Sequence, residues 1–76
     1  MESVESVEEA WAYIEQAHGE EEAFERELTY CLTDPVANDF SWESALDILN
    51  GRCCGTGEEY FLIGGQLWLF AYSYGH

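Results

Sequence analysis

The sequence predicts an α+β fold in which two to three short N-terminal helices pack on a C-terminal antiparallel β-hairpin. Apolar residues recur with helical spacing through the first part of the chain, whereas the last part is rich in aromatic residues around a Gly-Gly pair. The 76 residues suffice for one domain, predicted to span residues 1–76, and leave no room for a second core. The apolar fraction of 47% favours a folded chain over a disordered one.

The first helix is predicted over residues 4–18. Its apolar residues follow one another at alternating steps of three and four and form one stripe: Val4, Val7, Trp11, Ile14 and the imidazole of His18. Ser6 with Glu9 three residues later has the form of a capping box, which marks the beginning of a helix, and Ser3 offers an earlier cap. Gly19 is suited to a left-handed residue that ends the helix.

A second helix is predicted over residues 20–33. It begins with three consecutive glutamates, which the positive end of the helix dipole favours, and Pro35 ends it. The helical period brings four residues to its core side: Phe24, Leu28, Cys31 and Leu32.

A third, shorter helix is predicted to follow Asp39 or Ser41, either of which can serve as the N-cap. Asn50 and Gly51 provide a stop signal. Its apolar side comprises Trp42, Ala45, Leu46 and Leu49.

The segment 58–74 predicts a β-hairpin that turns at Gly64-Gly65. With the turn there, Phe61 lies opposite Trp68 and Leu62 lies opposite Leu67, so both faces of the ribbon are apolar. The helices are expected to cover one face. The other face requires further packing, a second copy of the chain or the functional partner, so both a monomer and a homodimer are open.

The charge of the chain is strongly one-sided. Sixteen Asp and Glu residues stand against Arg26 and Arg52, for a formal net charge of −14. This charge repels DNA, RNA and anionic membranes and favours a positively charged protein surface as the partner. Ten of the acids lie within residues 1–27, which argues for a binding face; a solvated coat and an adaptation to high salt are the alternatives.

The acids on predicted helices are candidates for partner contacts, because side chains three or four residues apart have Cβ atoms about 5–6 Å apart and can follow a row of phosphate-like positions. Trp42 and the hairpin aromatics are candidate hydrophobic anchors. The predicted contacts to Lys and Arg of the partner are Glu5, Glu9, Glu21, Glu22 and Glu25.

Catalysis, cofactors and metals are not expected. Cys53 and Cys54 are adjacent, whereas structural zinc sites usually separate paired ligands by two to four residues. Cys31 and His18 fit apolar helix faces, and His76 stands alone at the end of the sequence. No arrangement of nucleophile and base is apparent, and acidic surroundings oppose formation of a thiolate.

In size and acidity, above all over residues 1–27, the chain resembles the small phage-encoded anti-CRISPR and anti-restriction proteins that mimic DNA. This resemblance in composition implies an inhibitor that occupies the DNA-recognition cleft of a CRISPR surveillance complex or a restriction enzyme. It also implies a location in the host bacterial cytoplasm. No residue roles are carried over from these proteins.

The alternative is a protein-interaction module of a different kind, similar to an immunity protein or an antitoxin, that binds mainly through its aromatic hairpin. Salt separates the two hypotheses, because charge-led binding weakens as ionic strength rises. The sequence has neither a membrane-spanning apolar stretch nor a signal-peptide pattern at its beginning, so a cytoplasmic protein is expected.

Overall fold

The computed structural model describes residues 2–38, 41–51 and 55–75. These segments contain two α-helices, four β-strands and one short 3₁₀ turn. In chain order the elements are β1 (Glu2–Val4), α1 (Val7–His18), β2 (Glu25–Cys31), the 3₁₀ turn Pro35–Ala37, α2 (Trp42–Asn50), β3 (Gly55–Ile63) and β4 (Gln66–Tyr74).

Helix α1 begins where the capping box predicts. The backbone N–H of Glu9 donates to Ser6 Oγ (3.2 Å), and Glu9 Oε2 accepts from the backbone N–H of Glu5 (2.9 Å). Val4 is buried in the same core as the helix but belongs to β1, so the predicted helix over 4–18 began too early. Gly19 does follow the helix, but its φ of −63° is right-handed, and the predicted left-handed stop is wrong.

The predicted second helix is wrong, because most of segment 20–33 is a turn followed by β2. Leu28 and Tyr30 pack towards one side of the sheet, and Cys31 is buried with the opposite orientation. The same apolar residues fit both a helical and a strand period, and pairing with β4 buries residues on both faces. Pro35 opens the 3₁₀ turn instead of ending a helix.

The predicted third helix is confirmed as α2. Ser41 Oγ accepts from the backbone N–H of Ser44 (3.3 Å), as expected of an N-cap; Asp39, the other candidate, lies outside the described residues. Ala45 is fully buried, whereas Trp42 and Leu46 of the predicted apolar side remain 40% and 38% exposed. The side chain of Leu49 also lies outside the description.

The hairpin and its register are confirmed. Phe61 pairs with Trp68 and Leu62 with Leu67. Gly64 and Gly65 both have positive φ, 58° and 81°, as a tight hairpin turn requires.

The hairpin is the centre of a larger sheet and not a separate two-stranded ribbon. The strands form one mixed sheet in the order β1-β3-β4-β2. β1 lies parallel to β3, and β2 lies antiparallel to β4. β2 and the last residue of β1, Val4, come from segments that were predicted to be helical, so the chain is α+β with more strands than the sequence predicted.

The helices lie on opposite faces of the sheet. Helix α1 covers one face through Trp11 and Ile14, and the ring of Phe70 meets the Trp11 indole edge-on at 5.4 Å. Helix α2 covers the β2 side of the other face, where Ala45 packs with Leu28 and Leu69. The sequence left the second face of the hairpin to further packing, a second copy of the chain or a partner. In the structure, α2 covers part of this face.

Candidate protein-binding surface

The turn between α1 and β2 is held by backbone hydrogen bonds. The N–H of Glu21 donates to the carbonyl of His18 (3.0 Å), and the N–H of Phe24 donates to the carbonyl of Glu21 (3.3 Å). The N–H of Gly75, which follows β4, donates to the carbonyl of Glu22 (2.6 Å). The turn is therefore tied both to the end of α1 and to the residue that follows β4.

This turn and the first residue of β2 present four exposed carboxylates, which we call the acidic turn: Glu20, Glu21, Glu22 and Glu25. Ala23 lies between them in the left-handed region, with φ of 57°. That conformation costs an ordinary L-residue about 1–2 kcal/mol, so the surrounding contacts must hold it. The carboxylates accordingly project from a defined backbone.

His18 connects the acidic turn to the sheet. Its Nδ1 lies 3.4 Å from a carboxylate oxygen of Glu21, and its Nε2 lies 3.8 Å from one of Glu59 on β3. The imidazole stacks on the ring of Tyr72, with centroids 5.1 Å apart. The negative surface therefore continues from the turn across His18 to β3.

These carboxylates act on a buried phenol. Burial is the main reason that the pKa of Tyr72 is raised, and the negative charges of Glu59 and Glu21 raise it further. Both effects raise the pKa by favouring the neutral form of the phenol. Phe24 packs beside the same ring at 5.4 Å, which fixes the end of the acidic turn against the core.

Arg26 partly neutralises a different group of acids. Its Nε and Nη2 donate to the two carboxylate oxygens of Glu15 (3.0 Å each), and Nη1 donates to Glu8 (3.4 Å). The hydrogen bond from Arg26 is the main cause of a lowered pKa of Glu15, and the same bond raises the pKa of Arg26. The guanidinium also lies 5.2 Å from the ring centre of Trp11. This ion pair supports the packing of α1 on β2.

The predicted contact residues do not form one surface. Glu21, Glu22 and Glu25 come together in the acidic turn, at the end of α1. Glu5 and Glu9 lie at the beginning of that helix, which is about 18 Å long at 1.5 Å per residue. The carboxylate of Glu9 is also engaged in the capping box, so it has a structural task.

Trp42 lies neither in the acidic turn nor near the beginning of α1. It belongs to α2, on the face of the sheet opposite α1, and its indole packs against the ring of Tyr30 at 5.2 Å. Its exposure of 40% leaves part of the indole available for contact. An anchor at Trp42 would therefore serve a surface other than the face covered by α1.

Sequence reasoning missed Glu20 and Glu59 as members of the acidic surface. The confirmed hairpin register already placed Glu59 on the same face as Phe61, two residues away along β3, and hence towards α1. His18 was assigned to the apolar stripe, and its bridging position depends on a turn that was expected to be helical. The sequence could therefore have indicated the position of Glu59 through the hairpin register, but not the bridging position of His18.

The aromatic residues of the hairpin are mostly internal. Phe61, Phe70 and Tyr72 are 6%, 0% and 4% exposed because α1 covers them. Tyr60 is 42% exposed, and its hydroxyl donates to Glu58 (3.2 Å). Burial, followed by this hydrogen bond, raises the pKa of Tyr60. The alternative of hairpin-led binding therefore has fewer accessible aromatic residues than the sequence suggested.

The candidate metal ligands are dispersed in the structure as far as it is described. Within residues 2–38, 41–51 and 55–75, no three His, Cys, Asp or Glu residues form a group that could hold a metal ion. Cys31 is a buried free cysteine, whose Sγ lies 3.8 Å from Thr33 Oγ1. Cys53, Cys54 and His76 lie outside the described residues.

Comparisons of the chain with protein-family models, with curated proteins and with solved structures find no match. In the described segments, neither helix combines the length and the apolar character needed to cross a membrane.

Proposed function

We propose that the protein is a non-catalytic inhibitor that binds the DNA-recognition surface of a bacterial defence complex by presenting carboxylates in place of phosphates. The observation that carries this proposal is the acidic turn, whose four exposed carboxylates stand on a backbone fixed by hydrogen bonds to α1 and β4. Arg26, the one arginine among the described residues, pairs with Glu8 and Glu15, outside this group.

The arrangement suits a basic partner for two reasons. A cluster of one sign raises the rate of encounter with a surface of the opposite sign. A turn that is already ordered loses less conformational entropy on binding than a flexible acidic tail. The strained Ala23 supports the same interpretation, because left-handed non-glycine residues persist where the surroundings require one backbone shape.

The partner class is a protein that binds DNA through a cleft of Lys and Arg residues, with CRISPR surveillance complexes and restriction enzymes as the first candidates. The mechanism is competitive occupation of that cleft. Binding should weaken with rising ionic strength, as protein–DNA binding itself does.

The test is a competition assay with purified surveillance complexes and restriction enzymes, each bound to fluorescent duplex DNA. The protein is expected to displace the DNA from at least one of them, and less effectively as salt is raised. Failure to displace DNA from any of these enzymes at low salt would refute the proposed partner class.

Paired charge reversals locate the site. The variant with Glu20→Lys and Glu22→Lys should lose displacement, because neither side chain has a hydrogen bond or ion pair among the described residues and the fold does not depend on them. The matched control, Glu43→Lys with Asp47→Lys, makes the same change of net charge on exposed positions of α2. If both variants weaken displacement equally, total charge and not the acidic turn governs binding.

A further inference from the structure

The two edges of the sheet differ in their protection. At the β2 edge, a bulge interrupts the register between Arg26 and Leu28. Further along, the Asn38 side chain takes the place of a neighbouring strand: the N–H of Cys31 donates to Asn38 Oδ1, and Asn38 Nδ2 donates to the carbonyl of Cys31, both at 2.9 Å. Bulges and such side-chain caps prevent another strand from pairing.

The β3 edge is open over more than half of its length. β1 pairs with Phe61–Ile63 alone, and no described strand lies beside residues 55–60 on the side away from β4. Hydrogen-bonded pairs alternate along an antiparallel hairpin, beginning with the pair Ile63 and Gln66 that closes its two-residue turn. By that alternation, Thr56 and Glu58 direct their backbone N–H and C=O groups outwards.

The side chains beside this edge provide a surface for a further strand. Gly55 and Gly57 have none, and the rings of Tyr74 and Tyr72 fill the space above them. These rings form a platform over β3 on the α1 side. On the other side, Tyr60 stands 42% exposed. A strand added here would pack against aromatic rings on both faces.

The charges beside the edge define what kind of strand fits. Glu58 and Glu59 are consecutive, so one carboxylate lies on each face of the sheet. Glu59 is joined through His18 to Glu21 of the acidic turn. Lys and Arg side chains at successive positions of an added strand would therefore meet a carboxylate whichever face they are on.

We propose that residues Gly55–Tyr60 of β3 accept an extended, basic segment of the partner as an additional strand of the sheet. The basic character of that partner rests on the proposed function, whereas the pairing itself rests on the open edge. A second copy fits this edge poorly, because antiparallel pairing of two open edges brings Glu58 and Glu59 of both copies close together at a net charge of −14 each.

The pairing can be tested with a short peptide of alternating Lys and Val, titrated into the isotope-labelled full chain and followed by NMR. Amide shifts are expected at Thr56, Glu58 and Tyr60, with slower hydrogen exchange at the first two. The control peptide has the same side chains but N-methylated amides, so it keeps the charge and loses the donors. It should bind about tenfold more weakly or worse, since two lost hydrogen bonds of about 1 kcal/mol each exceed 1.4 kcal/mol.

The Thr56→Pro variant tests the same point from the side of the protein. The N–H of Thr56 points away from β4, so proline there blocks the edge without breaking the hairpin ladder. It should abolish peptide binding, while Thr56→Ala should leave it unchanged. If the proline variant does not fold, the comparison of the two peptides on the unaltered chain decides.

Equal binding of both peptides, no binding, or shifts confined to the acidic turn would overturn strand addition. Self-association of the chain with shifts at Thr56 and Glu58 would overturn the choice of partner in favour of a second copy. These outcomes are separate from the DNA competition assay: a chain that displaces DNA but does not pair with the peptide retains the proposed function and loses the strand site.

Discussion

Gly57 provides a direct test of how the tyrosine rings pack on the open end of β3. In a Gly57→Ala variant the new Cβ would overlap Cζ and the hydroxyl oxygen of Tyr72. The backbone itself accepts alanine, because the φ of Gly57 lies outside the left-handed region. The effect of the added methyl group is therefore decided by the ring.

Two opposing contributions set the size of the effect. Replacing a glycine inside a strand stabilises the fold by about 0.5–1 kcal/mol. An additional carbon in a well-packed place costs about 1–3 kcal/mol, because the ring must leave its rotamer or the strands must separate. The free energy of unfolding should therefore fall by about 1 kcal/mol, which lowers Tm by about 4–8 °C in a domain of this size.

The assay is urea unfolding of four chains: the unaltered protein, Gly57→Ala, Tyr72→Leu and the double variant. Without the ring the alanine should stabilise, so the sign of its effect should change between the two backgrounds. Thr56→Ala, at an exposed position on the other face, serves as a control and should stay within about 0.5 kcal/mol of the unaltered protein. An equal effect of Gly57→Ala in both backgrounds would show that Tyr72 does not fill the glycine position. If Tyr72→Leu fails to fold, Gly55 with the half-buried Tyr74 offers the same cycle.

Three further predictions concern the contacts around the acidic surface. Arg26→Met should lower the free energy of unfolding at neutral pH. The difference from the unaltered protein should shrink as the pH falls below 4.5, because the lowered pKa of Glu15 stabilises the fold only while that carboxylate is ionised. Urea unfolding at several pH values measures this difference. Because the pKa of Tyr72 is raised, the neutral phenol stabilises the fold below pH 10.0, and this stabilisation is lost as the pH rises above that value. Tyr72→Phe should therefore remove part of the loss of stability at alkaline pH, as measured by circular dichroism. Ala23→Gly should raise the free energy of unfolding by roughly 0.5–1 kcal/mol, as relief of left-handed strain exceeds the entropy of an added glycine; a thermal melt with unchanged or lower Tm would contradict it.

The elements that the sequence predicted correctly are those with local determinants. The hairpin register follows from two adjacent glycines, and the cap of α1 follows from Ser6 and Glu9, whose hydrogen bonds involve only neighbouring residues, although the predicted helix began three residues too early. Helix α2 likewise has its N-cap at Ser41. In each case the information lies within a few residues of the element.

β2 was not predictable in this way because its stability comes from distant residues. Leu28 pairs with Ala71 and Cys31 with Trp68, about forty residues later in the chain. The three glutamates before it are equally suited to the beginning of a helix and to an exposed turn. Pairing with the second edge of β4 selects the strand conformation, and that edge exists only once the hairpin has formed. The short β1 depends on β3 in the same way.

At least nine of the sixteen acids have a contact in the described structure, and the function of those without one is testable. Glu8 and Glu15 bind Arg26, and Glu9 caps α1. Glu20 and Glu22 have no such task among the described contacts, so reversing them leaves the core intact and changes the surface alone. If the acids served only solubility, the effect of charge reversal would depend on the number of charges reversed and not on their position. A difference between reversals in the acidic turn and equal reversals on α2 would therefore be evidence that selection acted on where the charge is placed.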